Sequence, residues 1–156
     1  MGLLSFVKNA GAKLTGKETV AEKAETESFE ELRKGNTLMQ HVIAMGFKIE
    51  GMKIAYDDGV ATIQGTSPSQ AEKEKIVLAV GNVAGVSQVD DRIVVEKPEP
   101  EATFYTVVSG DTLSKIAKTH YGNAGKYPVI FEANKPMLTD PDKIYVGQVL
   151  RIPPLS

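Results

Sequence analysis

The segment Lys97-Pro98-Glu99-Pro100-Glu101 is the feature that most limits how this 156-residue chain can fold. Each proline fixes its own φ near about −65° and has no N–H to donate, so neither a helix interior nor a central strand can run through the segment. Proline-rich segments of this kind are extended, semi-rigid spacers. We therefore expect residues 97–103 to link two small domains, each of which has to build its own hydrophobic core.

Residues 29–96 begin with the pattern of a helix followed by a β-hairpin. Apolar residues recur at helical spacing from Phe29 as far as Gly46, with Gly35-Asn36 as a candidate interruption. Alternating apolar runs then flank Asp58-Gly59, and Asp-Gly suits the two-residue turn of a hairpin. We expect one helix and two antiparallel strands.

A second helix and a last strand complete this first domain. Ser67 is placed as an N-cap with Pro68 in the first turn, and both residue types favour helix starts. The helix is predicted to end at Gly81-Asn82, and a strand follows over residues 88–95. The expected order is α-β-β-α-β, a small α+β sandwich.

Residues 1–28 precede this domain as a predicted N-terminal helix and charged connector. Leu3, Phe6 and Leu14 belong to an apolar stripe that fits one face of a short helix ending near Gly16. Such a stripe can also lie on a membrane surface, but this one has little basic flank. We expect it to dock on the domain that follows.

Residues 104–153 form the second predicted domain, with the order β-α-α-β. A strand over residues 105–108 leads through the turn Ser109 to Thr112, which is expected to cap the helix that follows. A second helix covers residues 127–133, and a closing strand covers residues 149–152. The whole chain is therefore predicted to be an α+β protein of two small domains.

Composition and charge exclude several function classes, and we expect the protein to be cytoplasmic and monomeric. The formal net charge is −2 and there is no basic stripe, so nucleic acid is not an expected partner. The chain has no cysteine, which excludes disulfides and cysteine-based zinc sites. The apolar run at the N-terminus is interrupted by Lys8 and is too short for a signal peptide, and no stretch is long enough for a transmembrane segment.

Groups that suggest catalysis or divalent metals do not form a recognisable constellation. Ser109 and Asp111 have no histidine at a triad spacing, so helix capping is the expected role of their turn. His41 and His120 lack a metal-binding partner at helical spacing, and Asp57-Asp58 lacks the spacing of an EF-hand. We expect a binding protein and no enzyme.

The second domain resembles a LysM domain along its whole length. The residues that carry the resemblance are Tyr105 to Leu113, Ile116-Ala117, Tyr121-Gly122, Ile130, Asn134, Asp140 to Tyr145, Gly147-Gln148 and Leu150 to Pro153. LysM domains usually bind glycans that contain N-acetylglucosamine, such as peptidoglycan, in a shallow groove. The resemblance implies a candidate glycan groove formed by Ser109, Gly110, Asp111, Thr112, Leu113, Asn134, Asp142 and Ile144.

The first domain resembles a BON domain, on the residues Val60 to Gly65 and Val83 to Asp91. The two domains in this order, after an N-terminus that reads Met-Gly-Leu-Leu-Ser-Phe-Val-Lys-Asn-Ala-Gly, resemble the bacterial BON–LysM potassium-binding family. That resemblance implies a cytoplasmic K⁺ sensor or buffer that compacts when the ion binds. Glycan binding by the LysM-like domain, docking of a protein partner there, and a BON adaptor at the envelope or membrane are the alternatives.

Potassium chemistry directs attention to two breaks in the predicted helices. K⁺ is bound by neutral backbone carbonyls, and the end of a helix supplies carbonyls without intrahelical partners together with a partial negative charge. Residues 80–86 follow a helix and contain Gly81 and Gly85, although a plain helix stop and turn explain the same glycines. Residues 7–12 contain the second break. The resemblance implies K⁺ ligands at the carbonyls of Val7, Ala10, Ala12, Gly81, Val83 and Val86, with Rb⁺ or Cs⁺ as partial substitutes.

Overall fold

The computed structural model describes residues 3–6 and 27–155, which form two mixed domains of helices and strands. The predicted α+β class is confirmed. The elements are β1 (Leu3–Ser5), α1 (Glu27–Ala44), β2 (Glu50–Asp57), β3 (Val60–Ser67), α2 (Gln70–Gly81), β4 (Gln88–Val95), β5 (Thr103–Thr106), α3 (Leu113–Tyr121), a 3-10 turn (Ala124–Lys126), α4 (Tyr127–Ala133) and β6 (Val149–Ile152).

The first domain is a four-stranded sheet in the order β1-β4-β3-β2, with α1 and α2 packed against it. Strands β2 and β3 form the predicted hairpin, and its turn places Asp58 at φ 46° and Gly59 at φ 88°. Strands β3 and β4 are parallel, so the chain has to cross over between them, and α2 makes that crossover. The core between helices and sheet includes Leu38 of α1 and Val80 of α2, both fully buried.

The predicted N-terminal helix is wrong for residues 3–5, which form the edge strand β1. It pairs antiparallel with β4, in the register Leu3 with Asp90 and Ser5 with Gln88. A short helix is marginal by itself, whereas β4 offers an unpaired row of backbone groups that a neighbouring segment can complete. The rest of the predicted helix and the connector, residues 7–26, lies outside the described residues.

Two further details of the first domain differ from the sequence prediction. Helix α1 runs unbroken through Gly35. A Cβ at this position would lie 2.8 Å from the Ile54 carbonyl oxygen of β2. The glycine therefore serves a close helix–strand approach, not an interruption. The N-cap of α2 is Ser69 instead of Ser67, since Ser69 accepts from Glu72 N at 3.1 Å while Ser67 still pairs in β3.

The second domain pairs β5 with β6 and covers this two-stranded sheet with α3 and α4. Its first strand lies earlier than predicted, over Thr103–Thr106, because Val107 leaves the ladder to bond Gln148 in the adjoining loop. The turn Ser109 to Thr112 caps α3 as predicted, and its capping residue is Thr112, which accepts from Lys115 N at 3.1 Å. In the described residues, every helix is too short or too polar to cross a bilayer.

Candidate cation site

The turn that joins α2 to β4, residues 81–86, will be called the carbonyl loop. It folds back on the end of α2 through hydrogen bonds from Asn82 N to Leu78 O at 2.9 Å and from Val83 N to Val80 O at 3.2 Å. Gly85 has φ 95°, a conformation that other residues rarely adopt. The loop therefore concentrates backbone carbonyls at the negative end of a buried helix.

Side chains from α1, from β2 and from the loop before β6 already donate to three carbonyls of the carbonyl loop. The hydrogen bonds are Tyr145 Oη to Asn82 O at 3.3 Å, Lys34 Nζ to Ala84 O at 3.1 Å, and Tyr56 Oη to Gly85 O at 2.8 Å. Burial raises the pKa of both phenols, that of Tyr145 to about 12, so both phenols keep their protons at neutral pH.

The other three carbonyls of the loop belong to Gly81, Val83 and Val86. The three side-chain donors named above bond the remaining carbonyls of the loop, and the hydrogen bond from Val86 N to Val83 O leaves a lone pair on Val83 O. All three residues are buried. They are the three loop residues predicted from sequence as ligands, and the structure places them in one turn.

The N-terminal segment reaches the carbonyl loop at Phe6. Phe6 N donates to Ser87 O at 2.7 Å, and the Phe6 ring lies so close to Gly81 that an added Cβ would be 1.9 Å from Cζ. Only glycine fits beneath this ring. The predicted ligands Val7, Ala10 and Ala12 follow Phe6 in sequence and lie outside the described residues.

Asn82, in the middle of the carbonyl loop, also joins the two domains. Its side chain is buried, donates from Nδ2 to Val149 O at 2.9 Å, and accepts from Val149 N at Oδ1 at 2.8 Å. The amide thereby satisfies both the backbone N–H and the backbone carbonyl of Val149 in β6. Sequence reasoning recognised Asn82 only as the end of a helix, and its interdomain role leaves no local pattern.

A second interdomain contact is the buried ion pair between Glu74 of α2 and Arg151 of β6. Arg151 Nε lies 2.8 Å from Glu74 Oε1, and the other carboxylate oxygen accepts from Ala102 N at 3.0 Å. Glu74 is 3% exposed, so its charge depends on these partners. The sequence pattern did not reveal this pair.

The candidate glycan groove begins with a turn whose polar side chains are partly engaged. Ser109 and Gly110 are exposed, and Thr112 is used as the cap of α3. Asp111 Oδ2 accepts from Tyr105 Oη at 2.6 Å and from Val108 N at 2.9 Å. The Tyr105 hydrogen bond is the main reason why the pKa of Asp111 lies below its usual range.

The remaining residues of the candidate groove do not share one exposed surface. Leu113 is a core residue, and Ile144 packs at the edge of the same core. Asn134 is 2% exposed, and its side chain bonds both the Ile130 carbonyl and the backbone of Arg151. Asp142 is exposed. The described part of the chain has no group of three or more His, Asp or Glu side chains suited to a metal ion.

Comparisons with known proteins agree with the predicted order of domains. The BON domain family matches residues 37–97, and the LysM domain family matches residues 105–153. The Escherichia coli O6:H1 protein named "Potassium binding protein Kbp" is 47% identical over 154 residues, covering 98% of this chain and 99% of that protein.

Two other similar proteins share only part of the chain. The Mycobacterium tuberculosis protein named "Esterase Rv1288" is 42% identical over 84 residues, or 53% of this chain and 17% of that protein. An uncharacterized Deinococcus radiodurans protein is 49% identical over 51 residues, or 33% of this chain and 19% of that protein.

Proposed function

The chain belongs to the family of the BON–LysM potassium-binding protein Kbp, and on that premise we propose that it binds K⁺ through backbone carbonyls. The proposed ligands are the carbonyls of Val7, Ala10, Ala12, Gly81, Val83 and Val86. One observation carries the proposal. Side chains donate to the carbonyls of Asn82, Ala84 and Gly85, whereas the carbonyls of Gly81, Val83 and Val86 are the proposed ligands.

The chemistry of the loop favours a large monovalent cation. Calcium and magnesium sites rely on carboxylates, whereas K⁺ accepts neutral carbonyls in place of its water. The loop offers buried carbonyls at the C-terminal end of α2, and residues 81–86 themselves contain no Asp or Glu. Rb⁺ and Cs⁺ are proposed to substitute in part, because they are similarly weakly hydrated.

An ion bound by carbonyls of both segments would hold the N-terminal segment against the BON domain. The contact of Phe6 with Gly81 supports this arrangement, since it brings the two segments together beside the loop. We propose that the protein compacts on binding and acts as a K⁺ sensor or buffer. The predicted cytoplasmic location and monomeric state remain predictions.

The first test is thermal unfolding in KCl and in NaCl at matched ionic strength. A ligand that binds only the folded state stabilises it by about 2.7 kcal/mol at 100 times its dissociation constant. For a chain of this size we expect a rise of several degrees in Tm with KCl and none with NaCl. RbCl and CsCl should give intermediate curves, and identical curves in KCl and NaCl would exclude the proposed function.

Glycan binding is a second candidate function, favoured by the LysM family match and the exposed Ser109-Gly110 turn. A chitooligosaccharide titration followed by amide NMR is expected to perturb this turn and Asp142. The Asn134 side-chain amide should stay unchanged, because it is buried and already bonded. A titration without any perturbation at Ser109-Gly110 would exclude this candidate and leave the domain as a structural or protein-docking module.

A further inference from the structure

Lys34 on α1 places a positive charge at the carbonyl loop. Gly35 lets α1 approach β2 closely, and the preceding residue, Lys34, extends towards the loop. Its Nζ donates to Ala84 O at 3.1 Å and lies 3.5 Å from the position that a Cβ on Gly85 would take. The ammonium group is half-buried there.

The partners of Lys34 differ from those of Lys73, another half-buried lysine of this domain. Lys73 pairs with the Asp91 carboxylate at 3.2 Å, whereas Lys34 forms no ion pair with a carboxylate among the described residues. The nearby Glu31 accepts from Asp58 N at 3.1 Å. Lys34 therefore presents a monovalent cation to a neutral carbonyl, which is the same kind of contact that a bound K⁺ makes.

We infer that the Lys34 ammonium is a tethered cation that lowers the affinity of the carbonyl loop for K⁺. The inference rests on the proposed function, because the repelled ion is the one proposed to bind Gly81, Val83 and Val86. Ala84, whose carbonyl accepts from Lys34, lies between Val83 and Val86 in sequence. The ammonium and the bound ion would therefore contact the same short turn. Two like charges several ångströms apart in a partly buried site repel strongly enough to change an affinity about tenfold.

Lys34 also helps to order the loop, and this second effect has the opposite sign. Its hydrogen bond to Ala84 O holds the turn in the described conformation, so a purely structural lysine would support K⁺ binding. The two roles predict opposite changes when the charge is removed. The sign of the change in K⁺ affinity therefore decides between them.

The test is a K⁺ titration by calorimetry, at constant ionic strength set with choline chloride, of the full chain and four variants. Lys34→Met and Lys34→Gln remove the charge, and Lys34→Arg keeps it. Lys115→Met is the matched control, because Lys115 Nζ also donates to a backbone carbonyl at 3.1 Å, that of Gly110 in the other domain. Circular dichroism without K⁺ establishes that each variant is folded.

We expect both neutral variants of Lys34 to bind K⁺ about tenfold more tightly, while Lys34→Arg and Lys115→Met bind like the original chain. Unchanged or weaker binding by the neutral variants overturns the inference, and so does tighter binding by Lys34→Arg. Failure of the original chain to bind K⁺ would instead overturn the proposed function. The two failures are therefore distinguishable.

Discussion

Replacing Gly81 with alanine is expected to remove the K⁺-dependent rise in Tm and to destabilise the protein even without the ion. The new Cβ would lie 1.9 Å from Phe6 Cζ, so the ring has to leave the surface of α2. Full burial of such a ring is worth about 1.5–3 kcal/mol, and the loss of the half-buried Phe6 contact together with the displacement of the ring outweighs the roughly 1 kcal/mol that alanine gains over glycine in a helix. The measurements are chemical denaturation and melts in KCl and NaCl.

Two further variants isolate the cause of this effect. Gly125→Ala, in the 3-10 turn of the LysM domain, is the matched control because its Cβ would meet only the Asn123 side chain. It should leave the KCl response intact. Phe6→Ala removes the obstructing ring, so Gly81→Ala should add little destabilisation on that background. Full KCl stabilisation of Gly81→Ala would show that contact between Phe6 and Gly81 is unnecessary for ion binding.

Replacing Arg151 with methionine is expected to lower the free energy of unfolding by about 3–5 kcal/mol, because it leaves a buried carboxylate without its cation. Glu74 would retain only the hydrogen bond from Ala102 N. Since Glu74, the ion-pair partner of the Arg151 side chain, belongs to the other domain, the loss should appear as separation of the two domains. Denaturation monitored by domain-specific NMR signals would report it.

An exposed ion pair in the BON domain supplies the control for this experiment. Arg92 pairs with Asp90 at 3.0 Å, and its side chain is 54% exposed. Arg92→Met should therefore cost no more than about 1 kcal/mol. The double replacement Arg151→Met with Glu74→Leu should recover much of the lost stability, since it removes the stranded charge. Equal costs for Arg151→Met and Arg92→Met would contradict the role assigned to the buried pair.

The order of helices and strands was predictable because local signals specify it. Asp58-Gly59 defines the hairpin turn, and Gly81-Asn82 ends α2 where the apolar pattern stops. The parallel pairing of β3 with β4 was not predicted, since strand direction depends on the path of the crossover and not on either strand. The N-terminal strand was mistaken for a helix because its spacing carries no information about the open edge of β4.

The location of the candidate cation site was also partly predictable. A glycine-containing turn after a helix identified the carbonyl loop, and the family resemblance selected residues within it. What could not be predicted is which carbonyls are already engaged, because their donors Lys34, Tyr56 and Tyr145 are distant in sequence. The contacts of Lys34 and Tyr56 appear only when the BON domain has folded, and that of Tyr145 only when the LysM domain packs against it.

Strand β1 covers the backbone of β4 at one edge of the BON sheet. If β1 dissociated from this edge, the backbone of Gln88 to Asp90 could pair with a strand of another molecule. Under the proposed mechanism, a K⁺ ion that holds the N-terminal segment in place also keeps β1 paired with β4. Potassium depletion would then carry a risk of strand exchange between molecules, which the charges of Asp90 and Arg92 beside that edge oppose.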